Sequence, residues 1–412
     1  MPRVTQLEVM AVDLPFRHTF RHAAAARSSS ESLFVKCVTD AGTIGFGESL
    51  PRAYVTGETR AGAFIRLQTE ILPKLLGMEF GTMEELYQFL RRCDGQAPAG
   101  WLAPGTPQLA AWCAVDLALL DAFGHAFEEP VRVGSGSAHG DVRYSGVLSV
   151  EAGWRLRLSL LKLRLYGIKH VKLKVNAGDP LPAARLARKI LGRKAVLRLD
   201  ANMAWTASEA RAHIRALQQL DIYCVEQPLP ASNLEDAAML VRETPAEIIA
   251  DEGFTDGSSL ARLLAARACR GVNVRISKCG GLVAAARRCE EAKNAGLLLQ
   301  VGCQVGESSL LSAAHRILIS GVGPPQYAEG CYGRHLLQMD PVLPGLQLGY
   351  GGQPPRLPDG YGLGVQVQEA GLDPWVKQRA LVRPASENTQ KKGKRYVACR
   401  QISPVLDRLA HD

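Results

Sequence analysis

The chain has 412 residues, of which 47% are hydrophobic and 22% charged, with a formal net charge of +9. This length suits one large α/β unit plus a second domain, and this balance is ordinary for a soluble enzyme. The basic residues are scattered, with no basic stripe carrying interleaved aromatics, so neither nucleic acid nor membrane is expected as a partner. In chain order, residues 4–13, 31–40 and 43–49 read as strands of an antiparallel meander, with a turn at Asp40-Ala41-Gly42. Between the first two strands, FRHTFRHAAAARSSS reads as a polar loop over 15–30, of a length that is usually functional or disordered. Residues 58–76, 82–92 and 107–127 have helical character, the last very apolar.

From residue 141 the pattern changes to alternating strand and helix. Strands are expected at 142–148, 168–174, 196–200, 222–226, 247–250, 271–276, 297–302 and 325–328, the count of a (β/α)8 barrel. Thr206-Ala-Ser-Glu209 is a capping box opening the helix after the third of these. The division expected is an α+β capping domain at 1–135, a TIM-type barrel at 141–350, and a segment at 351–412 that returns to the cap. That last segment ends in a basic, solvated tail around Lys391, Lys392, Lys394 and Arg395. GYGGQPPRLPDGYGLG lacks a GxGxxG between strand and helix and is a turn segment. Arg3, Glu8 and Asp13 come too early for a signal peptide, and no run of 18 apolar residues occurs. Ten cysteines without CxxC spacing read as reduced thiols, so a cytoplasmic location is expected.

Lys174, Asp200, Glu226, Asp251, Lys278, Cys303 and Glu329 follow one another at intervals of 25 to 27 residues, each after a short apolar run. One interval is one β/α unit, and residues ending successive barrel strands point into one mouth. Three adjacent carboxylates, Asp200, Glu226 and Asp251, repel one another unless a cation joins them. Oxygen-only ligands without His favour a hard divalent ion, Mg²⁺ first and Mn²⁺ as the alternative, over zinc. Lys172 and Lys174 share one face of a strand, and each should depress the other's proton affinity, making Lys174 a base near neutral pH. Lys278 is expected to end the sixth strand, across the mouth, with Arg275 acting on it in the same way. A lysine on one face of an α-carbon removes its proton; a second on the other face returns one or stabilises the anion.

These segments resemble the enolase superfamily, in its muconate-lactonising enzyme and dipeptide epimerase branch. VKLKV resembles the branch's KxK strand. LRLDANMAW, VEQPL and IADEG resemble its three metal-ligand motifs, and VNVRISKCGG the strand of its second catalytic lysine. PDGYGLGV resembles the closing segment, and GFGESLPRAYVTGET the cap. The resemblance implies Asp200, Glu226 and Asp251 as Mg²⁺ ligands, Lys174 and Lys278 as the acid/base pair, and supporting roles for Lys172, Asn202, Arg275 and Glu252. It implies a homo-oligomer acting on a small carboxylate, by racemisation or epimerisation of an N-acyl amino acid, dipeptide or related acid. A cycloisomerase is the alternative, then a dehydratase, then a non-catalytic binding protein of the same fold. Cys303 and Gln304 stand where the mandelate racemase and dehydratase branches carry His. The Asp-x-Asp that holds a dipeptide's ammonium is absent; only Glu329 stands there. Substrate contacts are sought at Arg21, Arg52, Tyr54, Cys303, Glu307 and Glu329, with Arg17 and Arg27 as further partners for an anionic distal group.

Overall fold

The computed structural model describes residues 1–22, 25–134 and 142–384, with backbone alone at 21, 22 and 25. The basic tail therefore lies outside the described residues. Five strands open the chain: β1 (Val4–Val12), β2 (Pro15–His22), β3 (Ala25–Ser29), β4 (Ser32–Thr39) and β5 (Ile44–Ser49). β1 and β4 run antiparallel with Val9 opposite Val35, and β4 turns into β5 through Gly42 at φ 78°. On β5, Gly45 and Gly47 lie against the helix Leu109–Ala126. A Cβ at Gly47 would fall 1.9 Å from the Ala114 carbonyl oxygen, so only glycine lets helix and sheet meet there. That helix has the length and composition to cross a membrane, but it is 89% buried and forms the core of the cap.

Eight parallel strands follow: β6 (Gly146–Leu148), β7 (His170–Lys174), β8 (Val196–Asp200), β9 (Cys224–Glu226), β10 (Glu247–Ala250), β11 (Gly271–Val274), β12 (Leu298–Val301) and β13 (Tyr327–Ala328). Each is hydrogen-bonded to its neighbours in chain order. A parallel bridge between Tyr144 and Ala328, with Ser145 N donating to the Ala328 carbonyl at 2.8 Å, joins the last strand to the start of the first. This is the expected TIM-type barrel with an α+β cap. Alternation puts Val171 and Leu173 against the outer helices, and Lys172 and Lys174 inside. The capping box at Thr206 and Glu209 is present. After the barrel, β14 (Val342–Leu343) pairs with β15 (Gln366–Val367), and β16 (Val376–Val382) pairs with β1 in the cap sheet.

Two local readings are corrected. The described residues of the 15–30 segment are not a loop: Pro15–His22 and Ala25–Ser29 are the strands β2 and β3, paired antiparallel with Phe20 opposite Arg27. Its small residues pair along the backbone, which hydrophobic patterning does not register. The sixth barrel strand ends at Val274, and Ile276–Cys279 is a one-turn helix closed by Gly280 at φ 86°. Lys278 therefore rides on that helix, not on a strand end.

Candidate active site

The parallel register sets Lys174 beside Asp200, and Asp200 beside Glu226, on consecutive strands. Asp251 follows directly after β10. All three carboxylates are at most 1% exposed, and cations bridge them. The Lys172 ammonium lies 2.9 Å from Glu226, 3.4 Å from Asp200 and 2.6 Å from Glu329. The Arg275 guanidinium pairs with Asp251 and reaches Glu226 at 3.4 Å. Lys174 donates to Asp200 Oδ2 at 2.6 Å and to Asn202 Oδ1 at 2.8 Å. Asn202 in turn donates to Glu252 Oε1 at 3.1 Å.

Lys278 is fully buried, and its ammonium donates to three oxygens: Asp251 Oδ1 at 2.8 Å, the Asp251 carbonyl at 2.7 Å and the Asn273 carbonyl at 2.7 Å. Its three N–H bonds are all engaged. The Phe254 ring lies 5.4 Å away.

Charge decides the protonation pattern. Burial alone would raise the Glu226 carboxyl, but Lys172 and Arg275 hold it well below the usual carboxylate range. Burial pulls Lys172 down, but Glu226, Glu329 and Asp200 more than offset it, and the net shift is upward. The expected mutual depression of Lys172 and Lys174 thus loses, at Lys172, to three nearby anions. Arg275 also shifts upward: burial opposes its charge, and Asp251 and Glu226 outweigh it. Its guanidinium is engaged with the carboxylates. Burial, then repulsion from Asp251 and Asp200, pushes Glu252 up to about 8.

Two residues absent from the sequence reading hold Glu226. Asn273 Nδ2 donates to its Oε1 at 2.8 Å and Gln300 Nε2 to its Oε2 at 2.9 Å. Both are amides inside apolar strand runs, VNV and LLLQV, which is the signal that could have found them. Arg198, likewise absent from the sequence reading, holds Glu329 instead; it donates to Glu329 at 2.6 Å and to Ser145 Oγ at 3.0 Å, over the Tyr327 ring.

A cavity of about 490 Å³ opens on this cluster. Lys172, Lys174, Asn202, Arg275, Gln304 and Glu329 line its polar end, with Cys303 and Tyr54 nearby. From the β2–β3 hairpin, His18 and Phe20 face it. Lys278 is not among the lining residues. Nor is Arg52, whose guanidinium donates to the carbonyls of Pro51, Ser30 and Val305, tying cap loops to the loop after β12. Glu307 is likewise outside the lining; it accepts from Gln304 N at 2.6 Å, and burial pushes it up to about 8. Glu329 lines the cavity, but Lys172 and Arg198 each take an oxygen, which leaves it a poor anchor for a substrate ammonium. Burial pushes the Cys303 thiol well up, which suits packing and not attack. The side chain of Arg21 lies outside the described residues. Arg17 donates to the Arg334 and Leu337 carbonyls, and Arg27 pairs with Glu31.

Among the described residues, no three His, Cys, Asp or Glu side chains are already gathered as a metal cage. The donors nevertheless fit a hard divalent ion. Asp200, Glu226 and Asp251 offer only oxygen, on adjacent strands, each now facing an ammonium or guanidinium whose charge such an ion could replace. Beside them, Glu252 Oε2 is buried without a hydrogen-bond partner.

Residues 4–133 match the N-terminal domain of mandelate racemase / muconate lactonizing enzyme, and residues 156–371 match the enolase C-terminal domain-like family. The chain is 27% identical over 316 residues to an N-succinyl-L-Arg/Lys racemase of Bacillus cereus, covering 76% of this chain and 82% of the relative. A crystal structure of N-succinyl Arg/Lys racemase from Bacillus cereus superposes with a TM-score of 0.82 at 26% identity, covering 92% of this chain and all of that one. A hydrophobic dipeptide epimerase of Enterococcus faecalis is 28% identical over 318 residues, covering 76% of this chain and 86% of the relative. A dipeptide epimerase from the same species, crystallised with Mg and L-Leu-L-Tyr, shares the fold with a TM-score of 0.76 at 24% identity, covering 88% of this chain and 99% of that one. With both domains matched along their length, the chain belongs to the mandelate racemase / muconate lactonizing enzyme family of the enolase superfamily.

Proposed function

We propose that this protein is an isomerase that moves the proton on the α-carbon of a carboxylate substrate, racemising or epimerising an N-acyl amino acid, dipeptide or related acid. The observation that carries this reading is Lys174 on the cavity wall, 2.6 Å from the first of three carboxylates on adjacent strands. The substrate class is supported by the racemase and epimerase relatives. Asp200, Glu226 and Asp251 would hold Mg²⁺, supported by the family match and by the Mg-bound relative. When bound, the ion would supply positive charge that stabilises the negative charge developing on the enediolate oxygens.

Lys174 takes the α-proton on its face of the substrate carbon. Asn202, bonded to the Lys174 ammonium, sets its direction. Lys172 stays charged beside Glu226 and supplies fixed positive potential at the floor. Lys278 serves the opposite face, since β7 and β11 lie across the barrel, four strands apart in the order. It acts once Asp251 no longer engages its protons. Asn273 and Gln300 keep Glu226 oriented. A cytoplasmic location is supported by nine free cysteines among the described residues, eight of them buried.

The test is incubation with a library of N-acyl amino acids and dipeptides in D₂O with Mg²⁺, reading Cα–H exchange by mass shift. At least one acid should exchange in the wild type and not in Lys174→Ala. Absence of exchange across the library would overturn the reading.

A further inference from the structure

The first and last barrel strands meet at a seam. β6 and β13 are the two ends of the eight-strand sheet, joined by the Tyr144–Ala328 bridge. Past that bridge, among the described residues, Gly146–Leu148 pair as a strand only with β7. The cavity does not stop at the polar cluster. It continues to this seam and to the inner face of the helix Gly153–Leu165, where Leu148, Leu163, Tyr166, Ile168, Leu336 and Leu348 line it.

Lys162, on the same helix, also lines this side chamber; the chamber's other polar side chains already have partners. Tyr332 Oη donates to the Ser145 carbonyl at 3.0 Å, and Tyr166 Oη to the Leu348 carbonyl at 3.3 Å. His335 Nε2 lies 3.1 Å from that same carbonyl, and Ser159 Oγ donates to Glu151 at 2.8 Å. The rings therefore present their apolar faces. At Gly146 a Cβ would come 2.8 Å from Leu163, so glycine leaves Leu163 its place on the chamber wall. A chamber with few free donors takes apolar surface, and each methylene moved out of water favours binding.

We propose that this chamber receives an apolar distal group of the substrate, either an N-acyl chain or an aliphatic side chain, while the carboxylate end stays at the lysines. The proposal rests on the proton-transfer reading for its ligand class, but its test reads binding separately. Dissociation constants with Mg²⁺ present would be measured calorimetrically for N-acetyl-L-alanine, N-hexanoyl-L-alanine and N-acetyl-L-norleucine. One of the two extended acids should bind about tenfold or more tightly than N-acetyl-L-alanine, and which one identifies the group that enters. Leu163→Trp should remove that gain and leave N-acetyl-L-alanine binding unchanged. Should Leu163→Trp not fold, Leu348→Phe narrows the same chamber from another wall. Equal affinity for all three acids, or a gain that survives filling, would overturn the chamber. Cα exchange is followed in parallel. A filling-sensitive gain without any exchange would keep the chamber and sink the chemistry; exchange with flat affinities would do the reverse.

Discussion

Lys278 and Asp251 are bonded twice: the buried ammonium donates to the aspartate's side-chain oxygen at 2.8 Å and to its backbone carbonyl at 2.7 Å. The same aspartate pairs with Arg275 on its other oxygen. One metal-ligand candidate is thus saturated by two cations, one of which is a candidate catalytic base. A divalent ion at Asp251 and a free Lys278 are therefore linked: gaining the first favours the second. In a buried pair, removing one partner strands the other, typically at about 3–5 kcal/mol. Lys278→Ala should accordingly destabilise the protein without Mg²⁺, and saturating Mg²⁺ should recover part of the loss. Urea unfolding of both proteins with and without Mg²⁺ checks this. An identical loss in both conditions would separate Lys278 from the metal site.

The two lysines should also have separable roles. Lys174→Ala should stop Cα exchange for one enantiomer and leave some for the other, and Lys278→Ala should show the reverse preference. Chiral substrates in D₂O, followed by mass shift, give the answer. Equal loss from both enantiomers in both variants would mean that the lysines act as one cationic unit.

Asp200→Asn should abolish turnover with the fold intact. Asp200 accepts from Lys174, faces Lys172 and orders Asn202 through its backbone N–H at 3.1 Å. Removing its charge weakens a hard-cation site that depends on charge. The thermal shift that Mg²⁺ produces in the wild type should shrink in parallel. Wild-type turnover by Asp200→Asn at limiting Mg²⁺ would disprove the ligand assignment.

The barrel and its carboxylates were legible because inward polar residues at strand ends recur once per β/α unit, a long-range period that survives any local irregularity. That same coarse period could not place Lys278. A spacing of 25 to 27 residues tolerates the few positions by which the chain leaves β11 and turns into Ile276–Cys279. Arg52 looked like an anion contact because a sequence shows its charge but not the three carbonyls that absorb it. The β2–β3 hairpin was hidden because backbone pairing between Arg/His-rich and Ala/Ser-rich segments carries no apolar alternation. Asn273 and Gln300 look like isolated core amides until Glu226 is seen between them.

Those two amides make a sharper test of the metal site than the ligands themselves. Asn273→Ala and Gln300→Ala each remove one hydrogen bond from Glu226 and no charge. Partners that orient a ligand typically contribute about 10–100-fold in metal affinity or activity. Each variant should therefore need more Mg²⁺ for half-maximal exchange, by roughly tenfold or more, and approach wild-type turnover when Mg²⁺ is saturating. A lower maximal rate at an unchanged Mg²⁺ requirement would assign the amides to packing of the barrel floor.

The cap is joined to the barrel by a titratable contact at Glu48 on β5. Its carboxyl accepts from Ser32 Oγ at 3.0 Å, and from the backbone N–H and hydroxyl of Ser308 at 3.1 Å and 2.6 Å. Burial pushes it up to about 7, against the hydrogen bonds of Ser308 and Ser32 that favour the anion. The folded state thus holds this proton more tightly than the unfolded chain, whose value is near the ordinary 4.5. The sign follows from linkage: the contribution is complete below pH 4.5 and declines as pH rises through about 7, by about 3 kcal/mol in total. Glu48→Gln keeps the shape and cannot titrate, so the stability difference between wild type and variant isolates this group from other buried acids. Urea unfolding at pH 5, 6, 7 and 8 should show the wild type losing ground to the variant at each step. A difference that stays flat over that range would mean Glu48 remains ionised in the folded protein, with the Ser308 and Ser32 hydrogen bonds outweighing its burial.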